Sequence, residues 1–160
     1  VEDSLQARVT LFIPTHWHSD CLGGLGYLQR RGVRSYTLGQ TINILRSLGR
    51  PAPDEGFADS LALSLNGLDI RCYHPGGGHT PDNFVVWLPD ENILFGGCLV
   101  KDLAATNLGN LEDAVPDAWP GSIRRVLGRF PADVLIVPGH GACGGTELLQ
   151  HTLELLDGRP

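Results

Sequence analysis

Histidines stand at the points where the apolar runs of this chain end. The run Arg8–Pro14 contains several β-branched side chains and predicts a buried strand, and His16 and His18 follow it almost directly. His140 follows the last apolar run, and His79 ends a run of three glycines. Ligands at strand ends can converge on a rigid edge, and neighbouring glycines let the backbone approach an ion closely. The pattern therefore predicts a site built on the ends of strands.

Strand and helix patterns alternate along the chain, which predicts one mixed α/β domain over residues 1–160. Asn66-Gly67 separates two alternating runs, which is the strongest short signal for a hairpin. Segments 51–59, 74–83 and 102–110 are expected to be irregular, and Thr146 is the expected cap of the last helix. The predicted strands are 8–14, 33–37, 61–65, 68–72, 84–88, 92–96 and 133–140; the predicted helices are 25–32, 40–48, 113–129 (starting near Pro116 or Pro120) and 145–156.

Charge and hydropathy argue against two classes of function. The net charge of −6 argues against binding nucleic acid, whose phosphates attract lysine and arginine. The sequence has no stretch of about 18 apolar residues, so no membrane span is expected. The four cysteines form no C-x-x-C pair, and zinc ligands or buried thiols compete with disulfides as explanations for them. A disulfide-stapled binding domain is the most distant alternative.

The spacing His16, His18, Asp20 suits a metal site. In an extended segment residues i and i+2 point to the same side, so the two histidines can hold one ion and Asp20 continues on that side. Imidazole, carboxylate and thiolate are the ligands that zinc prefers. A site of three histidines leaves a fourth position for water, whose pKa falls to about 7 on zinc. The sequence thus predicts a metal-assisted hydrolase.

Four motifs carry a resemblance to a known family. The chain resembles the metallo-β-lactamase superfamily, and more narrowly the class B β-lactamases of the first, two-zinc subclass. Glyoxalase-type thioesterases carry a histidine immediately after the aspartate of the first motif, whereas this chain has Cys21 there. Cys98 and the downstream Lys101 are the more discriminating features. In order, the motifs are Thr15-His16-Trp17-His18-Ser19-Asp20, Gly78-His79-Thr80, Gly97-Cys98 and Gly139-His140-Gly141.

The resemblance implies roles for eight residues. His16, His18 and His79 would hold a first Zn²⁺ ion. Asp20, Cys98 and His140 would hold a second. Asp20 and Asn110 would be catalytic, with Lys101 pairing with the substrate carboxylate and Asn110 facing the lactam carbonyl.

The implied function is zinc-dependent hydrolysis of the β-lactam amide bond by a zinc-bound hydroxide. The substrates would be penicillins, cephalosporins and carbapenems, and the result would be antibiotic resistance. The resemblance further implies a periplasmic monomer. Alternatives are another binuclear zinc hydrolase of the superfamily, of the thioesterase kind, and an inactive fragment.

Individual residues also have plainer explanations. A lone Cys98 would more often be a small buried hydrophobe, Lys101 a solvated cation, and Asn110 a turn residue after Gly109. Cys21 is either a spare thiol near the metal or a small side chain behind it. Asp82 is expected to orient a ligand or brace its loop.

The family fold is an αβ/βα sandwich of four layers, with the metals at one edge. In the family, several strands and a mobile hairpin precede the first histidine motif. Here the stretch before that motif is short and contains no methionine. The resemblance therefore predicts a sandwich lacking most of its N-terminal strands, as part of a longer protein.

Overall fold

Short parallel strands carry the first part of the chain. The computed structural model describes residues 2–158, which divide into two compact units with the boundary between Ala58 and Asp59. In the first unit β1, β2 and β3 pair in that order, each parallel to its neighbour. Its elements are α1 (Glu2–Leu5), β1 (Leu11–Phe12), α2 (Ser19–Leu22), α3 (Leu25–Arg30), β2 (Arg34–Leu38), α4 (Gly39–Ser47) and β3 (Glu55–Phe57).

The core of the first unit is small. Leu22, Leu25 and Leu45 are buried together, and Phe12 and Trp17 pack against them. Leu22 belongs to α2, so this cluster fixes the helix that directly follows the histidine motif. Apolar burial of this kind contributes roughly 25 cal/mol per Å².

The second unit is a five-stranded sheet with two helices. The strands are in the order β4-β5-β6-β7-β8; the first three pairings are antiparallel and the last is parallel. The predicted hairpin is confirmed: Leu65 pairs with Leu68, and the linking Asn66 and Gly67 have φ of 52° and 89°. Its elements are β4 (Ser60–Leu65), β5 (Leu68–Tyr73), β6 (Val85–Leu88), β7 (Ile93–Gly97), α5 (Trp119–Arg129), β8 (Leu135–Pro138) and α6 (Glu147–Asp157).

Helices α5 and α6 cover one face of this sheet. Trp119, Ile123 and Val126 of α5 are fully buried, against Leu94 of β7 and Ile136 of β8. These positions lie three or four residues apart, which places them on one face of the helix. The second unit thus has a continuous apolar core that fixes the ends of β7 and β8.

The mixed α/β class predicted from the sequence is confirmed, but several element boundaries are wrong. The strand predicted over 8–14 is reduced to Leu11–Phe12, because β1 pairs with β2 over those two residues. The segment 51–59 is not entirely loop, since it contains β3. Helix α5 begins at Trp119, with Pro120 at its second position. Thr146 does precede α6, yet its side chain makes no capping hydrogen bond.

Across residues 2–158, none of the helices combines the length and apolar character needed to cross a membrane. That residues 1–160 act as a single domain stays a prediction.

Candidate metal centre

The first unit brings its three predicted ligands together. One ligand atom from each of His16, His18 and Asp20 lies within 4.8 Å of the other two. The Nε2 atom of His16 is 3.5 Å from Oδ1 of Asp20, and the two imidazole rings are 4.9 Å apart. His16 is 1% exposed whereas the Asp20 side chain is 42% exposed. The group is therefore anchored at one end and open to solvent at the other.

Cys21 contacts the buried face of this group. Its Sγ lies 3.1 Å from Nδ1 of His16 and 3.5 Å from Oγ1 of Thr15, and its backbone N–H donates to Oδ1 of Asp20 at 3.0 Å. Burial raises the pKa of the Cys21 thiol, although the hydrogen bond with Thr15 opposes the rise. The thiol therefore meets His16 as a neutral group.

A buried hydrogen bond anchors the chain just before the histidines. The hydroxyl of Thr37, in the middle strand β2, donates to the carbonyl of Pro14 at 3.0 Å. Both residues are buried, so this bond exchanges little with water and anchors the segment between β1 and His16. His16 follows two residues later.

Cys98 and His140 meet at the ends of two paired strands in the second unit. The Sγ of Cys98 lies 3.6 Å from Nε2 of His140. The N–H of Gly139 donates to the carbonyl of Gly97 at 2.8 Å. A Cβ on Gly139 would lie 2.5 Å from Sγ of Cys98, which leaves no room for a side chain. The close approach of thiol and imidazole thus depends on a glycine.

His79 sits in a buried loop of the second unit. It is 7% exposed, and its ring lies 6.1 Å from that of Trp119 in an edge arrangement. The N–H of Thr80 donates to Oδ1 of Asn83 at 3.0 Å, which closes a short turn around the histidine. Asp82 is fully buried in the same turn, and its role in orienting a ligand or bracing the loop stays a prediction.

Lys101 lines a cavity of 350 Å³ that His140 also lines. Its Nζ lies 5.5 Å from the centre of the Trp119 ring, and its backbone N–H donates to Thr152 at 2.9 Å. Burial lowers the pKa of the Lys101 ammonium, and the nearby Cys98 opposes the shift. Lys101 is the single lysine of the chain. The other residues lining the cavity are Val100, Asp102, Ala104, Ala105, Thr106, Asn107 and Gly109.

Asn110 is an exposed turn residue. Its Oδ1 accepts a hydrogen bond from the N–H of Glu112 at 3.0 Å, the pattern of an Asx turn. This bond leaves the amide nitrogen as the part of the side chain that can donate. The catalytic role of Asn110 stays a prediction.

The donor set fits a zinc-like metal. In the first unit two imidazoles and a carboxylate converge, and in the second a thiol and an imidazole do. Nitrogen, sulfur and carboxylate oxygen are the zinc donors, and a hard ion such as Mg²⁺ would instead select oxygen. The six residues therefore suit the ion that the sequence predicts.

The sequence indicated Cys21 and Asp82 as neighbours of the ligands but not three more distant supporting groups. Thr37, Ser122 and Arg125 all act on residues more than twenty positions away. No local pattern predicts such contacts. The three glycines before His79 were the one available signal, since such a run suggests close contact with another part of the chain.

Comparison with known proteins identifies the family of this chain. The sequence profile of the metallo-beta-lactamase superfamily matches residues 5–140. The chain is 55% identical over 157 residues to "Metallo-beta-lactamase type 2" of Bacteroides fragilis, covering 98% of this chain and 63% of that relative. It is 41% identical over 156 residues to the protein of the same name from Bacillus cereus, covering 98% of this chain and 61% of that one.

A solved structure is similar over the whole chain. "Metallo-beta-lactamase from Pontibacter korlensis" matches with a TM-score of 0.94 and 45% identity, covering 99% of this chain and 74% of that one. The chain spans less than two thirds of the length of the curated relatives above. The match over most of its residues confirms the resemblance seen in the sequence: the chain belongs to the metallo-beta-lactamase superfamily.

Proposed function

We propose that this protein hydrolyses the amide bond of β-lactams with the help of zinc. The observation that carries the proposal is the local convergence of predicted ligands within each unit: His16, His18 and Asp20 in the first, and Cys98 with His140 in the second. Relatives named metallo-beta-lactamase, at up to 55% identity, support it. We assign two Zn²⁺ ions to the six predicted ligands.

Lys101 would recognise the substrate. β-Lactam antibiotics carry a carboxylate, and a lysine offers a flexible positive charge to hold it. Its position in a cavity beside His140 supports placing the carboxylate there. The Lys101 ammonium lies 5.5 Å from the centre of the Trp119 ring, and this cation–π contact restricts the positions that the ammonium can reach.

Asn110 would stabilise charge on the lactam carbonyl. Its Oδ1 is held by Glu112, so the amide nitrogen can donate to the oxygen on which negative charge develops. Zinc, when bound, supplies a Lewis acid and lowers the pKa of water. In the reaction water adds its oxygen to the carbonyl carbon, the carbon–nitrogen bond breaks, and the ring nitrogen gains a proton.

The biological setting is also a proposal. We infer carbapenems among the substrates, a role in antibiotic resistance, and a periplasmic monomer. The names of the relatives support the role in β-lactam resistance, and the location and the monomeric state rest on the family resemblance alone.

Hydrolysis of a carbapenem by the purified chain tests the function. We expect turnover with added zinc and none after chelation, with activity restored by returning zinc. A glutathione thioester assayed in parallel separates this reaction from that of a thioesterase. Turnover that persists in fully metal-free protein would overturn the proposal, and so would a preference for the thioester.

Lys101→Ala sharpens the test of substrate binding. We expect a rise in KM of at least tenfold with a smaller change in kcat, since uniform binding is lost, and partial recovery in Lys101→Arg. Because the chain has one lysine, its reductively ¹³C-methylated Nζ would give a single lysine NMR signal. That signal should move when a β-lactam carboxylate binds.

A further inference from the structure

Four successive carbonyl groups in the loop before His79 are each held by a different donor. Each of these hydrogen bonds comes from outside the loop's own three glycines. Pro75 accepts from Nε of Arg125, Gly76 from Nδ2 of Asn83 at 2.9 Å, Gly77 from Oγ of Ser122 at 2.7 Å, and Gly78 from the N–H of Val115 at 2.8 Å.

Helix α5 supplies two of the four donors through side chains. Ser122 and Arg125 are three positions apart and therefore lie on one face of the helix. The hydroxyl of Ser122 has one proton, and its oxygen lies closer to Gly77 O, at 2.7 Å, than to Ala118 O within the helix, at 3.2 Å. The Ser122 hydroxyl therefore donates its proton to the carbonyl of Gly77 in the loop rather than to that of Ala118. The guanidinium of Arg125 also reaches Ser122, at 3.3 Å.

The loop fits this helix because its residues lack side chains. A Cβ on Gly76, which has φ of 115°, would lie 2.7 Å from Arg125 and 2.8 Å from Ser122. A Cβ on Gly78 would lie 2.4 Å from Cδ1 of Leu99 and 3.0 Å from Trp119. A Cβ essentially never approaches another atom closer than 3.0 Å, so Arg125, Ser122 or Leu99 would have to shift to admit one. The absence of side chains in the loop therefore allows the donors of α5 to reach its carbonyl groups.

The contact between α5 and the loop extends to the predicted ligand His79. The N–H of Gly78 donates to the carbonyl of Thr80 at 3.0 Å, so the backbone closes around His79. Trp119, at the start of the same helix, lies against the imidazole ring. Movement of α5 relative to the loop would therefore displace both the backbone and the ring of His79.

We propose that Ser122 and Arg125 are positioning residues that fix His79 for metal binding. The part of this inference that concerns metal binding rests on the proposed function. The contacts between the helix and the loop do not depend on it. Groups that orient a metal ligand typically affect metal affinity by roughly 10- to 100-fold. Neither residue carries a donor atom in the predicted ligand set, so the effect would arise through the loop.

The variants Ser122→Ala and Ser122→Thr test the proposal, with Arg125→Ala as a second site. Threonine keeps the hydroxyl, so Ser122→Thr should retain most of the wild-type zinc affinity. Ser122→Ala should weaken it by roughly tenfold. Arg124→Ala is the matched control, because Arg124 is an exposed arginine on the same helix and should leave zinc affinity unchanged.

Two readouts keep this test separate from the proposed function. The ring signals of His79 and the amide exchange of Gly77 and Gly78, measured in metal-free protein, should change in Ser122→Ala and in Arg125→Ala but not in the control. Zinc affinity, measured by competition with a chromogenic chelator, should follow the same order. If the wild type binds no zinc, the proposed function fails. The His79 signals still show whether Ser122 and Arg125 fix the position of His79. Ser122→Ala and Arg125→Ala proteins that are less stable but keep wild-type His79 signals and zinc affinity would overturn the inference.

Discussion

The two units present their candidate ligands in different ways. In the first, His16, His18 and Asp20 lie within five consecutive residues, and their proximity follows from local backbone geometry. In the second, His79, Cys98 and His140 come from three separate segments, each held by close packing. A contiguous motif can be recognised in a sequence, whereas a dispersed one depends on contacts that arise only on folding.

The supporting contacts differ in the same way. Behind His16 stand the hydroxyl of Thr37 acting on Pro14 and the thiol of Cys21. In the second unit, a Cβ on Gly78 or Gly139 would come within 2.5 Å of its neighbours, closer than the 2.9 Å that a Cβ on Gly23 would reach in the first. We therefore expect the second unit to tolerate substitution near its ligands less well than the first.

The largest expected effect is that of Gly139→Ala. The new Cβ would lie 2.5 Å from Sγ and 2.6 Å from the backbone nitrogen of Cys98. Because backbone cannot yield as a flexible side chain does, we expect a loss of about 3 kcal/mol in the free energy of unfolding. Urea denaturation followed by circular dichroism would measure it.

Gly128→Ala is the control for that substitution. Gly128 lies in α5, is exposed, and has no atom within 4 Å of an added Cβ. Alanine is the better helix former, so stability should rise by up to about 1 kcal/mol. Equal effects of the two variants would show that the close contact at Gly139 is not what holds Cys98 and His140 together.

The same division explains what the sequence could predict. The hairpin around Asn66-Gly67 was predicted because the turn residues and the alternating pattern are local. Strand β3 was missed because its three residues, Glu55–Phe57, include a glycine and become a strand by pairing with β2. Helix α2 was missed because its four residues have no helical periodicity, and Leu22 is fixed by tertiary packing.

The residues of the candidate site also divide into those that the sequence indicated and those that it did not. The motif around His16 and the strand-end position of His140 were readable from spacing and glycines. Ser122 was not, since it acts on Gly77 across 45 residues and a serine in a helix is unremarkable in sequence. Candidate ligands could thus be named from the sequence together with neighbours such as Cys21 and Asp82, whereas the distant Thr37, Ser122 and Arg125 could not.

A smaller effect is expected from Thr37→Val in the first unit. The substitution keeps the branched shape but removes the donor to Pro14, leaving a buried carbonyl without this hydrogen bond. The expected cost is about 2 kcal/mol. Ser47→Ala removes a hydroxyl that is exposed and bonded within its own helix, so it should change stability by less than about 0.5 kcal/mol. Similar costs for both variants would mean that the segment between β1 and His16 needs no such anchor.

The smallest expected effect is that of replacing Cys21. Substitutions there should change the orientation of the His16 ring more than the stability of the protein. Cys21→Ala removes the thiol from Nδ1 of His16 and should cost about 1 kcal/mol or less, while Cys21→Ser should cost less because its hydroxyl still forms a hydrogen bond. Burial raises the pKa of this thiol above its ordinary value of 9.0. The unfolded chain therefore loses the proton first as pH rises, so the wild type loses stability above about pH 9. Cys21→Ala lacks that component.

The ring of His16 gives the decisive reading for Cys21. A neutral thiol that fixes the imidazole should favour one tautomer in metal-free protein, and ¹⁵N shifts of the two ring nitrogens distinguish tautomers directly. We expect Cys21→Ser to keep the wild-type tautomer and Cys21→Ala to show a mixture. Identical shifts in all three proteins would mean that the backbone alone orients His16. The ligands of the first unit would then be oriented by local backbone geometry alone. The difference from the second unit, whose ligands are held by packing between separate segments, would then be larger than the contacts suggest.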